Sequence, residues 1–175
     1  MKPVLAASAL CLALFATLPR QALAENPAHS RQKIEAVIEA FKNALADKDK
    51  EGFMRLFLRE DITWVGVYTD GSVARYRAGL KDPNEQTPKT SGGTPRKFIE
   101  SIARKPEART ETFENVRIDT DGEMAQVLFD YSFMTDGYRS SWGKESWQMV
   151  RTENGWKIAA VVWSAEENPV PPPKK

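Results

Sequence analysis

Cysteine and histidine are nearly missing from this 175-residue chain, which has one of each, Cys11 and His29. Zinc centres draw three or four ligands mainly from these two residue types, so the supply for one is absent. Chemistry that rests on an imidazole base has only His29 to use, at the edge of the first helical pattern. No metal and no cofactor is expected. Excess charge of one sign is lacking too, with 25 basic against 24 acidic residues. A near-neutral chain has no electrostatic footprint for nucleic acid or an anionic membrane.

Long apolar runs are equally scarce. The longest is Val4 to Leu18, short of the roughly 20 residues that span a bilayer. It follows Lys2, is broken by Pro19-Arg20, and precedes Ala22-Leu23-Ala24, a small-x-small cleavage pattern. Residues 1–24 therefore read as a cleavable secretory signal. Leu10 stands before Cys11 where a lipoprotein signal carries a small residue, so the cysteine is assigned to the discarded segment. The expectation is an exported chain, periplasmic or secreted, with no membrane insertion after cleavage. Lys2 and Arg20 leave with the signal, so 23 of the 25 basic residues remain against 24 acidic ones. What remains has no cysteine, and a chain of about 150 residues can bury enough surface to hold one domain by its core alone.

The rest of the sequence alternates between two periods. After Asn26-Pro27, a cap followed by proline at the first helical position, Ile34, Val37, Ile38, Phe41 and Leu45 make the stripe of an amphipathic helix. A polar turn over 47–50 leads to a second helix facing inward with Phe53, Leu56 and Phe57, capped by Asp49. Asp61 to Thr69 alternates as a strand ending at Asp70-Gly71. The segment 79–93, rich in Pro, Thr, Ser and Gly, has no period and reads as a long surface loop. Thr94-Pro95 restarts a helix carrying Phe98, Ile99 and Ile102.

Three strand patterns follow: 112–120, 123–135 and 141–151, the last joined at Asn154-Gly155 to a closing strand, 156–164. In the second, Ala125, Val127, Phe129, Tyr131 and Phe133 alternate with Leu128 and Met134, so both faces are apolar and both should be covered. A homodimer would cover the outer one, and Tyr131 and Trp163 are expected there, away from any pocket. One α+β domain over 25–165 is predicted, with a proline-rich mobile tail over 166–175.

Ala46-Asp47-Lys48-Asp49, then Phe53, Leu56 and Phe57, then Asp61-Ile62-Thr63-Trp64-Val65 resembles the opening of nuclear transport factor 2-like (SnoaL-like) domains. The ending Asn154-Gly155-Trp156-Lys157-Ile158 with Ser164 is similar to that superfamily's closing strand. The resemblance spans about Ala28 to Ala165. It implies an α+β cone, a curved antiparallel sheet wrapped around N-terminal helices with an apolar pocket inside, often dimeric. Members include isomerases, dehydratases, epoxide hydrolases, cyclases and binding proteins. Related subgroups carry histidines on the closing strand where this chain has Ala160 and Val162.

Without an imidazole, carboxylates and tyrosines are the remaining candidates. The resemblance to ketosteroid isomerase, a member of this superfamily, implies that an Asp base, a Tyr and a neutral carboxylic acid suffice. The candidates are Asp130, Glu145, Tyr68 and Tyr131. Asp130 also admits a plain ion pair to a neighbouring strand. Glu145 depends on the hairpin register. A two-residue Asn154-Gly155 turn pairs Glu153 with Trp156, Trp147 with Val162 and Glu145 with Ser164. Glu145, Trp147 and Met149 then share a pocket face with Ile158, Ala160 and Val162. A glycine bulge would put Lys144, Ser146, Gln148 and Val150 there instead. The apolar pair Trp147/Met149 favours the first register.

Trp64, Tyr68, Trp142, Trp147 and Trp163 either wall a cavity or serve as core and dimer contact. The expected ligand-binding set is Trp64, Tyr68, Trp147, Met149, Ala160 and Val162, with Ala159 and Ala160 leaving room. Three readings stand: a non-catalytic exported domain holding a small apolar ligand, an isomerase, dehydratase or hydrolase using Asp130 or Glu145 with a tyrosine donor, and a dimeric interaction module.

Overall fold

The computed structural model describes residues 26–82 and 85–172. The expected signal over 1–24 and the end of the expected tail lie outside them. Helix α1, Pro27–Ala46, is capped by Asn26, whose side chain accepts from the Ala28 N–H at 2.9 Å. Ile34, Ile38, Phe41 and Leu45 of its stripe are buried, as the spacing predicts. Helix α2, Lys50–Met54, starts at Asp49, which accepts from the Gly52 N–H at 2.9 Å. It brings Phe53 to Phe41 with ring centroids 4.8 Å apart.

Strand β1, Thr63–Tyr68, is followed not by a turn at Asp70-Gly71 but by a helix that no sequence pattern marks: α3, Asp70–Gly79. Thr69 caps it, accepting from the Ser72 N–H at 3.2 Å. Its only buried apolar side chain is Val73, so no stripe marks it. A short strand β2, Thr90–Gly92, also lies inside the expected loop and pairs antiparallel with β1. Helix α4, Pro95–Ala103, follows its Thr94 cap as expected and buries Ile99 and Ile102.

Four long strands complete the chain: β3 (Arg109–Thr120), β4 (Met124–Thr135), β5 (Tyr138–Thr152) and β6 (Gly155–Glu167). The six strands make one curved, unclosed sheet in the order β2-β1-β6-β5-β4-β3. Every neighbouring pair is antiparallel except β1 with β6. That pair is parallel, because the chain crosses from β1 to the far edge of the sheet before returning through β6.

The inner face holds the core. Phe41 and Phe129 pack on Trp147 at 4.9 and 5.1 Å between centroids, and Phe113 lies 4.1 Å from Phe129. Aromatic pairs of this kind contribute beyond the area they bury, on the order of 1 kcal/mol each.

Two expectations are corrected at the chain's end. Strand β6 runs on to Glu167, past the predicted end of the domain. The following residues are tied down: Asn168 N–H donates to the Ser140 carbonyl at 2.9 Å, and Tyr138 donates its hydroxyl to the Val170 carbonyl. The hairpin adopts neither of the two expected registers. Thr152 faces Gly155, with Glu153 and Asn154 at the tip and Gly155 at φ 90°. Met149 then faces Ile158, but Gln148 faces Ala160, so Ala159 is an extra residue in β6. Beyond this bulge Trp147 pairs with Val161 and Glu145 with Trp163.

Candidate active site

The bulge decides which side chains of β6 point inward. A single inserted residue flips the alternation of everything beyond it. Trp156 and Ile158 face the core before it, and Val161 and Ala165 after it. Ala160 and Val162 thus stand on the outer face, and Val162 is 42% exposed. Their expected place in the pocket is corrected by this one extra residue. Trp163 moves the other way and enters the cavity, against the expectation that put it outside.

The cavity has a volume of about 390 Å³ and sits between α4 and the ends of β3, β4, β5 and β6. Trp64, Phe98, Phe133 and Trp163 form its aromatic wall, with Trp64 and Trp163 edge to face at 5.5 Å. Polar side chains share the lining with them: Arg109, Glu111, Tyr131, Ser141, Glu145 and Glu167, with Glu111 paired to Phe133 and Glu145 to Trp163 across the ladders.

Glu111 and Glu145 are both buried, 7% and 5% exposed. Burial is the first cause that raises each carboxyl above its ordinary value. Glu145 is pushed up to about 7, held back by the Trp147 indole, whose Nε1–H donates to Glu145 Oε1 at 2.6 Å. Glu111 is pushed well above its ordinary value by burial and then by the charge of Glu145. The two carboxyls are therefore unequal: Glu145 has a donor that favours its ionised form, while burial and the charge of Glu145 push Glu111 toward its neutral form. Glu167, half-buried, is raised by burial, while Arg75 pulls the other way.

Tyr131 is buried in the same wall, contrary to its expected outward facing. Its hydroxyl donates to the Ser164 carbonyl at 2.9 Å. Burial, then the charges of Glu111 and Glu145, push the phenol up. With its one proton committed to Ser164, Tyr131 acts as a strut and an acceptor, not as a ready acid.

The other candidates fall elsewhere. Asp130 is on the outer face, ion-paired with Lys144, and accepts from Asn115 Nδ2 at 2.7 Å. Lys144 first, then Asn115, hold its carboxyl below the usual value. Tyr68 packs on Tyr76 of α3, 5.7 Å between rings, and does not line the cavity. Trp142 is also outside, under the Arg139 guanidinium at 4.4 Å. Trp147 and Met149 are fully buried core beneath the cavity, and Trp147 reaches the site only through Glu145.

Of the expected residues, Trp64, Tyr131 and Glu145 are brought together in the cavity lining. Glu111 was missed because the strand was taken to begin after it. The signal was available: Arg109, Glu111 and Phe113 alternate in step toward the inner face. Among the described residues no group of three or more His, Cys, Asp or Glu is placed to hold a metal, and no helix is long and apolar enough to cross a membrane.

Helices packed inside a curved six-stranded sheet, with a cavity at the open end, match known structures closely enough to place the architecture. The chain has the nuclear transport factor 2-like fold. A nuclear transport factor 2-like protein from Pseudomonas putida superposes with a TM-score of 0.57 at 13% identity, over 81% of this chain and 90% of that one. A superfamily protein from Salmonella enterica gives 0.56 at 16%, over 83% and 96%. A protein from Novosphingobium aromaticivorans, provisionally assigned as a scytalone dehydratase, gives 0.56 at 16%, over 79% and 85%. No family model and no curated protein sequence matches the chain. At these identities the nuclear transport factor 2-like neighbours speak to the fold alone.

Proposed function

We propose that the protein is an acid–base catalyst, of isomerase or dehydratase type, acting on a small flat substrate with a carbonyl or hydroxyl group. The observation that carries this reading is the unequal pair of buried glutamates in an aromatic-walled cavity. Two carboxyls pushed apart in pKa by their surroundings can serve as base and acid in one site. Glu145, at about 7, suits a general base near neutral pH. It would take a proton from the carbon beside a carbonyl. The electrons of that C–H bond move toward the carbonyl oxygen, which the neutral Glu111 acid hydrogen-bonds or protonates. Return of the proton from Glu145 to another carbon gives isomerisation; its transfer to a hydroxyl on the β-carbon, which leaves as water as the C–O bond breaks, gives dehydration.

The test is exchange of α-protons in D2O, followed by proton NMR, over a panel of small cyclic ketones including 2-tetralone. The protein should accelerate exchange over buffer, with a rate that rises with pH through about 7. E145Q should abolish the acceleration and E111Q should reduce it. No acceleration by the unsubstituted protein across the panel would sink the proposal.

The carrier reading, a small apolar ligand held without chemistry, draws on the same aromatic wall. It fits less well with two carboxyls buried in the same lining. Export through the 1–24 signal and a homodimer through the outer sheet face belong to the same proposal. Val67, Leu128 and Val162 line a shallow, mainly apolar depression on that face.

A further inference from the structure

Arg109 is a charged residue in the cavity wall that the acid–base reading does not use. It sits near the open end, facing Thr135 across the ladder, while Glu111 faces Phe133 one step further in. Glu145, opposite Phe129, lies deeper still. The Arg109 guanidinium lies over the Phe133 ring, 5.8 Å from its centroid, a position that holds the fork in place from one side. Its Nε is buried and has no hydrogen-bond partner among the described residues. A buried donor left unpaired is costly, and a guanidinium is shaped to meet a carboxylate with two parallel N–H bonds. Three glutamates line the same cavity, yet no ion pair joins any of them to Arg109 among the described residues.

We propose that Arg109 is the specificity-determining residue of the cavity, and that its ligand is a small flat ring bearing a carboxylate, with the carboxylate on Arg109 and the ring against Trp64, Phe98 and Trp163. This deepens the acid–base reading and rests on it only in taking this cavity as the ligand site. The polarity of the cavity agrees with it. Arg109 is near the entrance and the base is deeper, so an anionic end stays at the mouth while a carbon of the ring reaches Glu145. Burial pushes the carboxyl of Glu111, two residues from Arg109, toward its neutral form, which lowers its repulsion of the anion. Glu167 is the acidic neighbour to be reckoned with, and Arg75 shares its charge. Glu107 is the other local candidate partner, since its Oε2 is also buried without a hydrogen-bond partner. It lies two residues before Arg109 but does not line the cavity.

The experiment is calorimetric titration near neutral pH with 2-naphthoate and its neutral isostere 2-naphthamide. The unsubstituted protein should bind the carboxylate at least about tenfold more tightly, the scale of one charge-assisted contact. R109M should remove that preference while leaving naphthamide affinity within about threefold, and R109K should keep part of it. E107Q should leave the preference intact. Equal binding of the two probes, tighter binding of the amide, or no binding of either at millimolar concentration overturns the proposal. So does a marked rise of the preference in E107Q, which would assign the guanidinium of the unsubstituted protein to Glu107. Because the preference is measured first on the unsubstituted protein, a misfolded R109M does not leave it open. The readout is binding alone, so failure of ketone exchange leaves this result standing, and failure here leaves the exchange result standing.

Discussion

The Tyr131 hydroxyl reaches the Ser164 carbonyl, 2.9 Å away, by crossing the strand that lies between them. Tyr131 faces Gly143 in the ladder, and a Cβ on Gly143 would lie 2.0 Å from the Ser164 oxygen. The absent side chain lets that carbonyl turn into the cavity wall. Gly143→Ala should therefore destabilise the protein by about 1–3 kcal/mol, as overpacking does, and Tyr131→Phe by about 1 kcal/mol. Urea unfolding of both variants checks the order. A harmless alanine at 143 would contradict the crossing.

Stability should fall as pH rises through neutrality. Glu111 and Glu145 have folded values above the unfolded 4.5, so the folded chain holds protons that the unfolded chain releases. Wherever the folded state binds more protons, stability drops with increasing pH, by about 1.4 kcal/mol per unit for one group. The drop begins near 4.5 and, for Glu145, ends beyond about 7. E111Q and E145Q should match the unsubstituted protein near pH 4.5 and exceed it near pH 8. Denaturant midpoints across that range measure the slope, and a flat profile in the unsubstituted protein contradicts the burial of the pair.

Asp130→Asn should leave ketone exchange and the preference for naphthoate unchanged. The residue is on the outer face with Lys144 and Asn115, and no wall of the cavity includes it. Loss of exchange in this variant, with the fold intact by circular dichroism, would reassign the base.

The outer face offers a separate test. Val162→Asp should convert a dimer to a monomer in sedimentation velocity, because a charge would then stand in the depression formed with Val67 and Leu128. A monomeric unsubstituted protein ends the dimer proposal. N-terminal sequencing of protein recovered from the exported fraction should begin at Glu25.

What the sequence settled by itself was local and periodic. The caps at Asn26, Asp49 and Thr94 and the stripe from Ile34 to Leu45 depend on residues within a few turns of each other, so the helices were readable. Alternation placed Glu145, Trp147 and Met149 on one face, but which face they took depended on a hairpin register that the sequence left between two alternatives, neither of them the one adopted. Helix α3 was not readable, since it buries one apolar residue and carries a glycine in its first turn. Only the tertiary structure decided the site. One inserted residue at Ala159 exchanged Ala160 and Val162 for Val161 and Trp163 on the inner face. The start of β3 at Arg109, three residues earlier than expected, brought Arg109 and Glu111 into the wall. A bulge and a register depend on how strands distant in sequence pair, and a period of two carries no record of where it slips.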